Sequence, residues 1–466
     1  MQLPASRIGT FGGGATDTVM HPVVAIAMIV AIVAMLRLPR KYAVVPFLLA
    51  LFLLPAGQEL YLGGMHLYAP RIMILFGLGR LMSAKLSSKT RIFTGGWNDL
   101  DKIFTCWAIF RAVAQILFYG GTIPVLISQI AFLWDTLGGY YLLRFLIRDT
   151  EDIRRVAKTF AIIVGMLGLI MLNEKFHHQN LFGYLGSGPI VHQSRDGAIR
   201  AQGPFAHPLL AGSFAATLLS FSLWLWHSKR TRLLAVAGVV GCTAMVISSA
   251  SSTPLLSYLA VIVGMCFWPL RGRMRRVRWV LVILLFACSL AMKAPVWFLI
   301  SHVDLVAGNS SYHRAELIDM FIRHFKDWWL VGTNKQATWG WDMDDLCEQW
   351  VAEGESGGLA TLVCFILLIT RSFSRIGKAR KRLSKDLKQE WLLWLIGVAL
   401  FSHCVGYFGI SYFDQTRFSW YALLAMISVV TARTVSPIGR VSFRTNPQPA
   451  DPHVNELVPT GSVYGV

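Results

Sequence analysis

The first segment whose residue types could do chemistry is RAQGPFAHPLLAGSF, residues 200–214. Arg200 stands just before a Gly-Pro turn. Pro208 follows His207 where a helix is expected to begin, because proline is well tolerated in a first helical turn. Gly203 permits the backbone to approach a ligand or a neighbouring segment closely. A guanidinium stays charged and offers paired donors, so Arg200 is suited to binding a phosphate at a membrane surface. The alternative is a loop-to-helix turn with a solvated arginine.

A second such segment covers residues 310–358. Apolar residues recur at helical spacing between Ser311 and Leu330, which predicts an amphipathic helix lying on the membrane surface. Arg314 sits in the first turn of this helix, beside His313. We expect Arg314 either to bind a phosphate or to anchor a headgroup. His313 is either a catalytic base or a solvated imidazole.

Carboxylates and tryptophans are concentrated in the second half of that segment. Asp345 and Glu348 are candidate general bases, because a carboxylate within reach of a hydroxyl can take its proton. Gln349 belongs to the same stretch. The Asp-Met-Asp run at 342–344 has the D-x-D form of some metal-dependent sugar transferases, but three residues are easily matched by chance and no metal is predicted. A solvated acidic loop is the alternative. A surface for binding sugar is expected from the neighbouring tryptophans, which are Trp339, Trp341 and Trp350.

A third set consists of ionisable residues within or at the ends of apolar runs. A charge at mid-bilayer costs roughly 2.5–3.5 kcal/mol even on the mildest scale, so such groups usually face a partner or a wet cavity. Arg111 with Asp135 is predicted as one pair, and Asp414 with Arg417 as another. Arg71 has the same predicted depth as the arginines of the two segments above. The hypothesis is that these three arginines converge at one membrane face.

The elements that must position these residues are apolar runs of roughly membrane-spanning length. They predict an all-α, polytopic transmembrane helix bundle with 12 or 13 spans and a large outer loop that contains the amphipathic helix. The weakest prediction is the run at 66–82, which is short and contains Pro70 and Arg71. The predicted spans are 22–36, 43–60, 66–82, 103–119, 122–143, 159–173, 207–227, 233–249, 254–270, 279–293, 357–370, 391–410 and 417–432.

The distribution of basic residues predicts the orientation of these spans. Alternate connections contain 32 of the 44 Lys and Arg residues, and we expect them to face the cytoplasm. The connections 174–206 and 294–356 are then the two long outer loops, and the second contains ten acidic residues. The predicted division is a polar segment at 1–21, a transmembrane domain at 22–432 and a disordered cytoplasmic tail at 433–466.

Composition excludes other classes of protein. The chain has 466 residues, of which 55% are hydrophobic and only 15% charged, whereas soluble domains carry about 25% charged residues. The net charge of +19 is mostly a topology signal, so no nucleic acid is predicted as a partner. The sequence has no nucleotide-binding fingerprint and no CxxC spacing among its seven cysteines. No cofactor is predicted, and any substrate must arrive already activated.

The order of these features resembles the O-antigen ligase and polymerase superfamily, which are bacterial inner-membrane glycosyltransferases of the GT-C type. The resemblance covers roughly residues 20–432. It rests on the Arg-x-x-Gly-x-Phe-x-His-Pro motif at 200–208 and on Ser-x-x-Arg at 311–314. A Leu-Val-Gly turn at 330–332 and the Gly-Gly-Leu that enters the next span at 357–359 complete it.

The resemblance implies transfer or polymerisation of glycan units from an undecaprenyl-diphosphate carrier onto an acceptor hydroxyl outside the cytoplasmic membrane, in the biosynthesis of exopolysaccharide or O-antigen. Arg200 and Arg314 match the family's motifs and would bind the diphosphate, with Arg71 added from its depth. The expected partners are the lipid-linked glycan, a glycan or lipid acceptor, the bilayer and other polysaccharide assembly proteins.

The sequence departs from the family in one respect. Family ligases carry a His-Asn pair late in the large loop, where this chain has Asp344 and Asp345. This difference favours a polymerase over a lipopolysaccharide ligase. Asp345 or Glu348 is then the expected base, with His313 as the runner-up. Two other classes of function stay open: a transporter or flippase of lipid-linked or polar substrates, and a non-catalytic scaffold for envelope assembly.

Overall fold

The computed structural model describes residues 20–62, 65–87, 92–186, 194–195, 197–302, 310–343 and 347–435. Helix accounts for 78% of the model and strands for almost none, so the predicted all-α fold is confirmed. Three earlier predictions fall outside the described residues: the role of Asp345, most of the polar segment at 1–21 and most of the tail at 433–466.

The N-terminal half contains helices, one short hairpin and one π-helical turn. The hairpin pairs β1 (Glu59–Leu62) with β2 (Met65–Tyr68) in antiparallel register. A π-helical turn, Trp134–Gly138, joins two of the helices. The helices are α1 (Pro22–Arg37), α2 (Arg40–Leu53), α3 (Ala69–Ser87), α4 (Asp99–Phe118), α5 (Ile123–Leu133), α6 (Gly139–Leu146) and α7 (Thr150–His177).

The C-terminal half begins with a second pair of antiparallel strands, β3 (Ser194–Arg195) and β4 (Ala198–Ile199). Nine helices follow within the described residues, and α14 is bent at Gly358, whose backbone is not helical. The nine are α8 (Pro208–Leu225), α9 (Arg232–Ser248), α10 (Ser252–Cys266), α11 (Met274–Ala291), α12 (Ser310–Arg323), α13 (Phe325–Trp328), α14 (Gln349–Arg382), α15 (Leu387–Gly406) and α16 (Arg417–Val435).

Several of these helices are built to cross a membrane. Five are long and apolar enough to do so, and α10 and α11 form a sixth crossing if that pair, bent by 72°, counts as one span. Each of the thirteen predicted spans overlaps a helix, although α1 and α16 are shorter apolar helices. The chain therefore has the character of a multi-pass membrane protein. The number of crossings stays a prediction.

The structure corrects two predicted segments. The run expected to span from residue 66 begins in strand β2, and its helix starts only at Ala69. The amphipathic helix expected over 311–330 breaks at His324 into α12 and α13. Its apolar face includes Leu317 and Phe321, which are buried in a small second core rather than turned to the membrane.

Small residues position the helices around the main core. A Cβ on Gly168 of α7 would lie 2.7 Å from the Cα of Gly241 in α9. A Cβ on Gly241 would lie 2.2 Å from the carbonyl oxygen of Val164. The two helices thus pack backbone to backbone, as transmembrane helices with small residues at their interface do. This contact sets the position of the end of α7, which bears part of the candidate site.

Candidate functional site

The turn between α15 and α16, residues 407–416, connects several predicted site segments. The backbone N–H of Ala206 donates to Asp414 Oδ2 at 3.0 Å. Gln415 Nε2 donates to the carbonyl of Pro204 at 3.3 Å. The backbone N–H of Gln349 donates to the carbonyl of Tyr407 at 3.0 Å. The 200–208 motif and the start of α14 therefore lie against one turn, at one end of the bundle.

The 200–208 motif is held by a buried carboxylate of α7. Glu174 accepts the backbone N–H of Gln202 at 2.7 Å and that of Gly203 at 2.9 Å. Asn180 Nδ2 donates to the carbonyl of Gly203 at 3.1 Å. Gly203 has a φ of 58°, which favours glycine, and its backbone N–H approaches Glu174. These contacts fix the loop that presents Arg200.

The remaining residues of this motif have local roles. Arg200 Nη2 donates to Ser251 Oγ at 2.8 Å, so the arginine contacts the turn between α9 and α10. His207 is the N-cap of α8, because its Nδ1 accepts the N–H of Leu209 at 3.2 Å. Pro208 occupies the first turn of α8. The predicted helix start at Pro208 is confirmed.

Arg314 and Glu348 are buried charged residues whose polar atoms are incompletely hydrogen-bonded. Glu348 is 0% exposed, and neither carboxylate oxygen has a hydrogen-bond partner. Burial raises the pKa of Glu348 well above its usual range, and the positive charge of Arg314 acts in the opposite direction. Arg314 is 5% exposed, and its Nε has no hydrogen-bond partner. A buried carboxylate without hydrogen-bond partners is costly, and burial therefore favours the protonated form of Glu348.

His313 lies in the same turn of α12 but engages different groups. Its Nε2 lies 2.9 Å from the carbonyl of Asp342, and its Nδ1 lies 3.8 Å from Cys347 Sγ. The imidazole therefore links α12 to the loop that precedes α14. It is neither a solvated surface group nor hydrogen-bonded to Glu348.

Gln349 positions a buried charge cluster inside the bundle. Its Nε2 donates to Glu353 Oε1 at 2.6 Å, and its Oε1 accepts the N–H of Tyr412 at 2.7 Å. Trp107 Nε1 donates to Glu353 Oε2 at 2.7 Å. Arg111 Nη1 lies 3.8 Å from Glu353 Oε1. Both carboxylate oxygens of Glu353 are thus satisfied by neutral donors, and the arginine is only loosely paired.

The two predicted ion pairs are wrong. Asp135 pairs with Arg71, whose Nε lies 3.0 Å from Oδ1, whereas Arg111 approaches Glu353. The hairpin β1–β2 and the π-helical turn bring Arg71 and Asp135 together. The hydropathy pattern predicts neither the hairpin nor the π-helical turn. Arg417 donates to the main-chain carbonyl of Asp414 at 3.3 Å rather than to its carboxylate.

The Asp414 side chain accepts hydrogen bonds from two backbone N–H groups. It accepts N–H groups from Ala206 at 3.0 Å and from Thr416 at 2.8 Å. Burial raises the pKa of Asp414, while these hydrogen bonds and Arg417 lower it. Across the described part of the chain, Arg417 forms no side-chain ion pair with an acidic residue. Its guanidinium is therefore available to the cavities that it lines.

Two adjacent cavities lie beside this turn. The first has a volume of about 230 Å³ and lies between the end of α2, the start of α3 and the 407–416 turn. The second has a volume of about 140 Å³ and is walled largely by aromatic side chains. Phe413 and Arg417 line both. Arg71 adds a guanidinium to the first cavity and Arg111 adds one to the second. Acidic residues share both linings, with Asp135 and Asp414 in the first cavity and Glu353 in the second.

The predicted tryptophan surface is only partly available. Trp339 is buried and stacks on His324, with ring centroids 5.0 Å apart. Trp350 packs against the main core. Trp341 is 91% exposed, so it alone of the three presents an open face to a sugar.

The Leu-Val-Gly turn at 330–332 and the Gly-Gly-Leu motif at 357–359 lie against each other. The N–H of Thr333 donates to the carbonyl of Glu355 at 2.9 Å, and the N–H of Leu359 donates to the carbonyl of Trp329 at 2.8 Å. Gly358, with a φ of 70°, lets the two backbones approach. The Leu-Val-Gly turn is thereby joined to the bend of α14, which sets the position of the residues before it.

Within the described residues, no group of three or more His, Cys, Asp or Glu side chains could hold a metal ion. Asp342 is described and exposed, whereas Asp344 lies outside the described residues. Asp345, the other predicted base, also lies outside them.

Comparison of the chain with protein-family models, with curated proteins and with solved structures gives no match. The function therefore has to be argued from the site. Sequence reasoning missed the pairing of Arg111 with Glu353, the role of Glu174 and the connecting role of the 407–416 turn. The charge of Arg111 inside an apolar run was a signal that could have drawn attention to its pairing, whereas Glu174 follows the run 159–173 in a polar stretch that gives no such signal.

Proposed function

We propose that this chain is a membrane glycosyltransferase of the bacterial cytoplasmic membrane. It transfers or polymerises glycan units from an undecaprenyl-diphosphate carrier onto an acceptor hydroxyl at the outer face. The observation that carries the proposal is the buried, unpartnered carboxylate of Glu348 beside Arg314, at the junction of the long loop and α14. This is the position where the sequence predicted a base and a phosphate-binding arginine.

Glu348 is suited to general-base work. Its raised pKa makes the carboxylate a stronger base than an exposed one, and catalytic carboxylates are commonly tuned by burial in this way. In the proposed reaction, the acceptor hydroxyl loses its proton to Glu348 and its oxygen forms a bond to the anomeric carbon. The bond from that carbon to the diphosphate oxygen breaks, and the diphosphate leaves with the electron pair.

The arginines are suited to stabilising the leaving diphosphate, because preorganised cationic donors act most strongly in a site that excludes water. Arg314 is nearest to Glu348 in this scheme. Arg71, Arg111 and Arg417 line two adjacent cavities, where Arg71 is paired with Asp135 and Arg111 lies 3.8 Å from Glu353. Arg200, the remaining arginine of the predicted set, donates to Ser251.

Transport of a lipid-linked or polar substrate is the second candidate, favoured by the charged groups that line cavities within the helix bundle. The two candidates make different predictions about the carrier. A transporter is needed for carrier-linked units to reach the outer face. A transferase is needed only for their consumption there.

The test is deletion of the protein from its host, with analysis of envelope glycans and of the undecaprenyl-diphosphate-linked pool on each face of the membrane. We expect loss of a long glycan and accumulation of outward-facing carrier with a single repeat unit. Accumulation of long carrier-linked chains indicates a ligase. Carrier retained on the inner face indicates transport, and an unchanged pool contradicts both.

A further inference from the structure

Helix α11 differs from the other apolar helices because none of its residues is buried by the part of the chain that the structure describes. It has no buried residue along its 18 positions. Its large apolar side chains are exposed on all faces, from Trp279 at 59% to Leu290 at 74%. By contrast, the membrane-spanning window of α8 is 83% buried. An apolar helix that is exposed all round must be covered by lipid or by another apolar helix.

The residues at the start of α11 carry a concentrated positive charge. Four arginines at 273, 275, 276 and 278 lie at its first two turns, and there is no acidic residue in its first turn. None of the four forms an ion pair among the described residues. The nearby Arg271 does pair, with Glu390 at 3.4 Å. We call these four residues the arginine collar.

We propose that α11 and its arginine collar form a binding surface for anionic phospholipid. The apolar helix contacts the acyl chains while the collar contacts the negatively charged headgroups. The charge of the arginine collar favours anionic phospholipid over a second copy of the chain as the partner of α11. Residues 274–291 contain no Asp or Glu, so two copies packed through α11 would bring their collars together without compensating charge. Anionic lipid headgroups supply that charge.

The experiment uses the full chain reconstituted in phosphatidylcholine vesicles that contain increasing amounts of brominated lipid. Bromine quenches tryptophan fluorescence on contact, and Trp279 lies directly after the collar. The part of the quenching that Trp279→Phe removes reports the lipid beside α11. We expect the Trp279-dependent quenching to reach its maximum with brominated phosphatidylglycerol at about one tenth of the lipid fraction that brominated phosphatidylcholine requires.

The triple variant Arg275→Gln, Arg276→Gln and Arg278→Gln should abolish this preference. The control, Lys229→Gln with Arg230→Gln, removes exposed charge at the approach to α9, a helix that packs against α7 and α8, and should retain the preference. Equal quenching by the two lipids, or equal loss of preference in the control, contradicts the proposal. Absence of any Trp279-dependent quenching also contradicts it, because a protein partner then covers α11.

Discussion

The bend of α14 at Gly358 should be essential to the site, and an alanine there tests this directly. Gly358 has φ 70° and ψ −171°, a region that only glycine adopts readily. A Cβ at this position would lie 2.5 Å from the carbonyl oxygen of Leu330 and 2.9 Å from that of Trp329. Both neighbours are backbone atoms, so no side-chain rotation relieves the contact.

The expected cost follows from these contacts. A non-glycine residue in this backbone region costs of order 1–3 kcal/mol. Displacement of the 329–333 turn would also weaken the hydrogen bonds Leu359 N–H to Trp329 and Thr333 N–H to Glu355, each worth about 0.5–1.5 kcal/mol. Gly358→Ala should therefore destabilise the protein by up to about 2–6 kcal/mol if both hydrogen bonds are lost.

The same helix provides the control. Gly377 has open space around its Cα, with no atom within 4 Å of an added Cβ, and Gly377→Ala should stabilise by about 0.5–1 kcal/mol. Thermal unfolding of the purified protein in detergent, followed by tryptophan fluorescence, should show Gly358→Ala melting below the wild type and Gly377→Ala at or above it. A Gly358→Ala protein that melts with the wild type refutes the reasoning.

Three further substitutions test other parts of the account. Because burial raises the pKa of Glu348 in the folded protein well above its ordinary value of about 4.5, its carboxyl group favours the fold most at low pH. This contribution decreases as the pH rises from about 4.5 towards the folded-state pKa. In Glu348→Gln, the melting temperature should therefore decrease less over this pH range than it does in the wild type. The same pH dependence in both proteins contradicts the raised pKa of Glu348. Glu174→Ala leaves two buried N–H groups without their acceptor and should cost about 2–5 kcal/mol, measured by thermal unfolding; a neutral effect means that Glu174 does not hold the 200–208 loop. Asp101→Asn breaks the ion pair with Arg144, in which both side chains are 0% exposed, and should lower the free energy of unfolding by about 3–5 kcal/mol. The control is the exposed ion pair of Glu151 with Arg154, where Glu151→Gln should change the free energy of unfolding by less than about 1 kcal/mol.

The sequence predicts the helices well because hydropathy over a spanning length depends on one element at a time. Each apolar run overlaps a helix, and the start of α8 at Pro208 follows from local backbone chemistry. The β1–β2 hairpin was missed because its four-residue strands lie within and beside apolar runs.

The site is harder to predict because it depends on which helices become neighbours. Arg71 pairs with Asp135 and Arg111 approaches Glu353, and no spacing in the sequence encodes either partner. The burial of Trp339 likewise follows from the packing of α12 and α13 against α14, not from its own segment. Residue type nevertheless identified Glu348 and Arg314 as candidates, because a carboxylate can act as a general base and a guanidinium can bind a phosphate.

The most direct test of the central claim measures glycan transfer by the purified protein in vesicles, with an undecaprenyl-diphosphate-linked donor. Glu348→Gln should lower kcat by about 10²–10⁴ while the protein stays folded, and Arg314→Ala should also lose activity. The control Arg323→Ala removes an exposed arginine from the same helix, paired only with Asp319, and should leave transfer unchanged. Wild-type rates in both the Glu348 and Arg314 variants would contradict the account.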